Sequence, residues 1–147
     1  MFIHQRTDEG AIHLNVLFHK MFQKTRYLNK ELNQALKEHA LHASQWSVLY
    51  CVHEHGQMTL TDIWKYLNVE APTTTRTVNR LAELGWLTIK QGEDRREKMV
   101  SLSQEAVKDF PTIEATIIQF EKQFLAGLSM EEQVQLIELL SKMAAKG

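Results

Sequence analysis

Apolar residues recur every three to four positions from Ile12 to about Glu38, at Leu14, Leu17, Phe18, Met21, Phe22, Leu28, Leu32 and Leu36. That spacing lines them along one face of a single long amphipathic helix. It exceeds the ~10–14 residues usual for a globular helix. A helix of this length at a chain end often packs outside its own subunit. Ser44 is placed to cap a second helix through Trp46, Leu49, Tyr50 and Val52, which Gly56 stops. Thr59 and Asp62 have capping-box spacing and open a short third helix with Leu60, Ile63, Trp64 and Leu67. Asn68-Val69-Glu70 reads as a tight connection, and Pro72 suits the first turn of a fourth helix. That helix carries Thr74, Val78, Leu81 and Leu84 on one face and ends at Gly85.

Beyond Gly85 the period changes from 3.6 to 2. Residues 86–90 and 98–102 read as two strands, joined by the polar tip Gln91-Gly92-Glu93-Asp94-Arg95-Arg96. Ser103 then caps a long helix carrying Ala106, Val107, Phe110, Ile113, Ile117, Phe120 and Phe124, in which Pro111 predicts a kink or a break. Ser129 and Glu132 open a last helix through Val134, Ile137, Leu140 and Ala144. The pattern predicts a mainly α fold with a small β-hairpin: a winged helix-turn-helix lobe over 39–103, flanked by long helices in 1–38 and 104–147. The stripes on those outer helices exceed what one small lobe covers, which predicts a homodimer.

The 147 residues suffice for one domain with a real core, and scarce Pro (two) and Gly (six) favour long helices. One cysteine, Cys51, excludes an intrachain disulfide and a cysteine-based zinc site; among Val48, Leu49 and Val52 it reads as a buried apolar residue. No apolar run is long enough to cross a bilayer. Residues 1–10 lack the order of a signal peptide, so the expected location is cytoplasmic. The net charge of −1 does not advertise nucleic acid, but the balance is +2 over residues 1–102 and −3 over 103–147.

The fourth helix divides by face. With Thr74, Val78 and Leu81 inward, Thr73, Thr75, Arg76, Asn79 and Arg80 are left outward, with no acid before Glu83. Arg can grip guanine O6 and N7, Asn can grip adenine, and Thr can reach a base or a thymine methyl. This face is the expected major-groove reader of double-stranded DNA. Arg95 and Arg96 at the hairpin tip suit a narrow minor groove, with Asp94 pairing with a local arginine to fix its direction. Ser44 and Thr61, near the starts of their helices, complete the DNA-facing set.

The stretch from Asn68 to Leu87, NVEAPTTTRTVNRLAELGWL, resembles the recognition region of the multiple-antibiotic-resistance regulator (MarR) family, and its Glu-x-Pro-x-x-x-Arg-Thr run is nearest the SlyA branch. The segment DRREKMVSLS from Asp94 to Ser103 resembles the family's Asp-x-Arg wing. The resemblance spans essentially the whole chain. It implies a dimer with two winged lobes on one face of a pseudo-palindromic operator, and a small apolar or aromatic effector, often an acid, where the dimer helices meet the lobe. Phe18, Phe22, Trp46, Tyr50 and Trp64 are the candidate lining of that cleft.

Some relatives sense peroxide through a cysteine near the start of the first helix, where this chain has none. Others bind zinc with residues that include the long helix after the wing, but the seven histidines here all precede residue 56. His53 and His55 lie ~200° apart on a helix, a poor pair for one metal, so the histidines are expected at the surface, with no metal and no cofactor. No phosphate loop, Gly-x-Ser-x-Gly or His-Glu-x-x-His run points to an enzyme. The competing reading is a winged-helix dimer that binds another protein through its exposed helix. An aromatic-rich outer face would favour that reading, and the fourth helix carries Thr, Arg and Asn there instead.

Overall fold

The computed structural model describes residues 14–94 and 96–144; Ile12 and Arg95 lie outside them. Helix α1 (Leu14–Leu36) is followed by a 3-10 turn (Lys37–His39), and Ala40 leaves the helical path in the left-handed region, at φ 55°. Next come α2 (Ala43–His55), β1 (Met58–Thr59), α3 (Leu60–Leu67), α4 (Ala71–Glu83), β2 (Leu87–Gln91), β3 (Lys98–Leu102), α5 (Gln104–Phe124) and α6 (Met130–Lys142).

Most caps follow the side-chain chemistry. Thr59 Oγ1 accepts from the Asp62 N–H at 3.0 Å, and Asp62 returns a carboxylate oxygen to the Thr59 N–H at 3.4 Å. Ser129 and Glu132 do the same for α6, and Ser103 Oγ accepts from the Ala106 N–H. Asn68 closes α3 in the left-handed region, at φ 55°. Gly85 follows α4 at φ +88°, a conformation side chains resist. Helix α2 departs from expectation. It starts at Ala43, so Ser44 sits exposed in its first turn and does not cap it. The Gln45 carboxamide accepts from the His42 N–H at 2.9 Å, and Asn33 Oδ1 on α1 accepts from the Ala43 N–H at 2.6 Å. Two carboxamides thus fill the role of a capping hydroxyl.

Pro111 does not break α5. The proline is exposed, and the carbonyl it leaves unbonded, four residues back, belongs to the exposed Val107, where water can serve it. Strand β1 was not anticipated, because two residues show no period. It pairs antiparallel with β3, Met58 opposite Val100, giving a three-stranded sheet in the order β1-β3-β2. Leu87 opposes Leu102, and Gln91 opposes Lys98.

One buried cluster joins the end of α1 (Leu36), α2 (Trp46, Leu49, Val52), α3 (Ile63), α4 (Val78, Leu81), the sheet (Leu87, Val100) and the first half of α5 (Phe110, Ile113, Ile117). It fixes the pose of α4 against the sheet. Trp46 stacks on Phe110 at 5.2 Å, and the His53 ring lies flat on the same Phe110 ring at 3.8 Å and 8°. A polar link ties the 3-10 turn to α5: His39 Nε2 and Thr116 Oγ1 are 2.8 Å apart, and Thr116 donates to Glu38 at 3.2 Å. Helix α6 contributes nothing buried; Met130, Val134, Ile137, Leu139 and Leu140 are all exposed.

Candidate nucleic-acid interface

Helix α4 presents the two faces its sequence spells out. Thr74, Val78 and Leu81 are buried, while Thr73, Arg76, Asn79 and Arg80 are exposed and Thr75 is half-buried. Leu84 is the exception on the apolar side. The helix has ended there, and the side chain is exposed. Two of the hydroxyls are committed to their own helix: Thr75 donates to the Ala71 carbonyl and Thr77 to the Thr73 carbonyl, each at 3.0 Å. Their oxygens still accept. Arg76 Nη2 donates to Thr73 Oγ1 at 3.2 Å, which leaves the guanidinium its full charge and most of its donors. Arg80 is held differently, by the Glu83 carboxylate at 3.2 Å. Neither arginine's partner was anticipated, although the i,i+3 spacing that produces both is visible in the sequence.

Thr74 is the odd member of the inner face. It is 2% exposed, and its hydroxyl has no hydrogen-bond partner among the described residues. An unpaired buried hydroxyl costs about 1–3 kcal/mol. Valine has the same branched shape and nearly the same volume, without the hydroxyl. Thr74→Val is therefore expected to stabilise the protein by about 1 kcal/mol without changing DNA affinity. Urea unfolding checks it, and a loss of stability would refute it.

At the wing, Asp94 Oδ1 accepts from the backbone N–H of Arg96 at 3.0 Å, and the Asp94 carbonyl accepts from the Glu97 N–H at 2.9 Å. Asp94 thus shapes the turn through the main chain of Arg96, and of the two arginines expected to pair with it only Arg96 falls among the described residues. Arg95 lies outside the described residues. Gly92 lets the ribbon close: a Cβ there would meet the Glu97 carbonyl at 3.1 Å. Arg96 is exposed at the tip, and Thr61 is exposed in the first turn of α3.

The five aromatics expected around one cleft are not brought together. Trp46 borders a hollow of 620 Å³ between α1, α2, α5 and α6, along with Met21, Lys24, Leu28, Phe120 and Leu140. Trp64 borders a separate hollow of 370 Å³ at the α3–α4 turn, beside Lys65, Asn68 and Pro72. Phe18 and Phe22 are exposed on α1 and border neither hollow, and the exposed Tyr50 meets Trp46 in a tilted pair at 6.0 Å. The nearby Glu54 carboxylate, and then burial, raise the Tyr50 phenol above its ordinary pKa, so it stays neutral. Phe18 and Phe22, four residues apart, share a face of α1 that lines neither hollow, and Trp46 and Trp64 sit on helices that border different hollows.

Burial pushes the Cys51 thiol up to about 11. At neutral pH it holds almost no thiolate, the form that reacts with oxidants. Among the described histidines, not all are mere surface residues. The His39 side chain is largely covered and meets Thr116, and His55 Nδ1 lies 2.7 Å from the Cys51 carbonyl. Among the described residues no three His, Cys, Asp or Glu groups gather as metal ligands.

The family model for MarR matches residues 41–98, which run from before α2 into β3. Over 117 residues the chain is 47% identical to the uncharacterized HTH-type transcriptional regulator YwoH of Bacillus subtilis, covering 80% of this chain and 85% of that protein. The chain belongs to the MarR family. It is a DNA-binding transcriptional regulator and not an enzyme. Solved MarR-type structures share its fold. A mutant MarR from E. coli complexed with operator DNA superposes with a TM-score of 0.80 at 22% identity, covering 88% of this chain and 94% of that one. BpsR of Bordetella bronchiseptica, whose DNA binding is regulated by 6-hydroxynicotinic acid, gives 0.79 at 22% identity over 88% and 98%. The regulator SlyA gives 0.78 at 23% identity over 86% and 90%. Among the described residues of this MarR-family protein, no helix is long and apolar enough to cross a membrane.

Proposed function

We propose that this MarR-family protein is a homodimeric repressor that reads a pseudo-palindromic operator with α4 and grips the flanking minor grooves with Arg95 and Arg96. The observation that carries this reading is the outer face of α4. From Thr73 to Arg80 it offers hydroxyls, an amide and two guanidiniums without an acid, on a helix whose opposite face is locked into the core. Residues 39–103 form the reading lobe, and residues 1–38 and 104–147 form the dimer arm. The wholly exposed apolar side of α6 supports that division.

The effector in this reading is a small aromatic or apolar acid seated in the hollow beside Trp46, with Lys24 as its cationic neighbour. The regulation of BpsR by an aromatic acid supports that choice of ligand class. The test is anisotropy on the inverted repeats flanking the protein's own gene, across a salt series and with added aromatic carboxylates. Specific binding should weaken steeply with salt as counterions are released, and an effector should weaken it further. Arg76→Ala should lose about 1–3 kcal/mol on the operator and relax preference at one base position. Equal binding by Arg76→Ala and the parent would refute α4 as the reader.

A further inference from the structure

We propose that Glu83 determines specificity by acting through Arg80: its carboxylate withdraws that guanidinium from indiscriminate phosphate binding. The inference rests on the reading that α4 faces DNA, and it adds a residue that the DNA-contacting set leaves out. Arg80 Nη1 and Glu83 Oε2 are 3.2 Å apart, with the two side chains 61% and 68% exposed. Arg76, one turn earlier, meets the Thr73 hydroxyl and, among the described residues, no acid. The two arginines of the reading face are therefore held in opposite ways, one by a neutral acceptor and the other by an anion.

Helix energetics do not explain why an acid stands at position 83. It is the sole acid in α4 and sits in the last turn, where the helix dipole disfavours negative charge. An acid placed after its basic partner is also the poorer order for a helical ion pair. What the pair changes is the DNA-facing charge. A backbone phosphate approaching Arg80 must displace the carboxylate or sit beside it, and both are unfavourable. A guanine edge carries no net charge, and Arg80 keeps most of its five N–H donors to offer it. Glu83 therefore weakens binding to arbitrary sequence more than binding to the operator.

The experiment measures anisotropy for the parent, Glu83→Gln, Arg80→Ala and the double variant. Each binds an operator duplex and a random duplex of equal length over a salt series. Both side chains are exposed, so the variants should fold, and thermal melts check this. Glu83→Gln should tighten binding to the random duplex by about two- to fivefold, the range of one exposed ion pair, and to the operator by less. Its salt slope on random DNA should steepen by about one ion. In the Arg80→Ala background the substitution should change nothing. The proposal is overturned if Glu83→Gln has no effect, tightens both duplexes equally, or acts equally without Arg80, which would mean simple repulsion of DNA. Arg76→Ala, measured alongside, separates two failures. If it weakens operator binding while Glu83→Gln is silent, only the role of Glu83 falls. If it binds like the parent, α4 is not the reader and both readings fall.

Discussion

A variant carrying Val134→Asp and Ile137→Asp together is expected to sediment as a folded monomer and to lose operator affinity by at least about a hundredfold. Both side chains lie three residues apart on the exposed apolar side of α6, and neither belongs to the buried cluster. The aspartates therefore leave the packing of the lobe intact. In a dimer of the obligate kind, burying roughly 2,000 Å² or more, they would place unpaired charges at an apolar interface, a cost that association does not repay. The loss on DNA follows from linkage. Once one lobe is bound, its partner is held near the second half-site, and that effective concentration raises avidity by about 10²–10⁴. A monomer forfeits it. Sedimentation at micromolar concentration and anisotropy on the operator read the two effects. A parent protein that is already monomeric, or a variant that binds as tightly as the parent, would refute the dimer.

Tight binding should also vanish when five base pairs, about half a helical turn, are inserted at the operator's centre. A two-fold dimer presents its two α4 helices to successive major grooves, so the half-site centres lie roughly 34 Å or ~10 bp apart. The insertion rotates one half-site to the far face of the duplex. A dimer whose lobes share a core with the arms, through Leu36, Phe110 and Ile113, cannot follow that rotation. A ten-base-pair insertion restores the face but not the distance, and should recover little. If the five-base-pair insertion left affinity within about a factor of two of the original site, the lobes would have to bind independently or through a flexible hinge.

Much of this protein was legible along the chain because its signals are local. Helix periods, the Thr59–Asp62 and Ser129–Glu132 boxes, Gly85 after α4 and the switch to period 2 at the wing each involve residues a few positions apart. The division of α4 into Thr74-Val78-Leu81 and Thr73-Arg76-Asn79-Arg80 needs only the geometry of one helix. Family motifs within 68–103 carried the rest of the functional reading.

Other features depend on partners distant in sequence or on helical phase over long spans. Asn33 reaches ten positions ahead to cap α2, so the hydroxyl of Ser44 is not needed there. Met58 and Thr59 become a strand only because β3 lies beside them. His39 meets Thr116 across 77 positions. Trp46 and Trp64 border different hollows because α2 and α3 face different neighbours. The sequence by itself determined the helices, the hairpin strands and which face of each helix is apolar, since propensity, capping and periodicity act within a turn or two of the chain. Only the tertiary structure decided which surfaces meet, which polar groups find partners and where the hollows lie, because those depend on how the packed core orients one helix against the next.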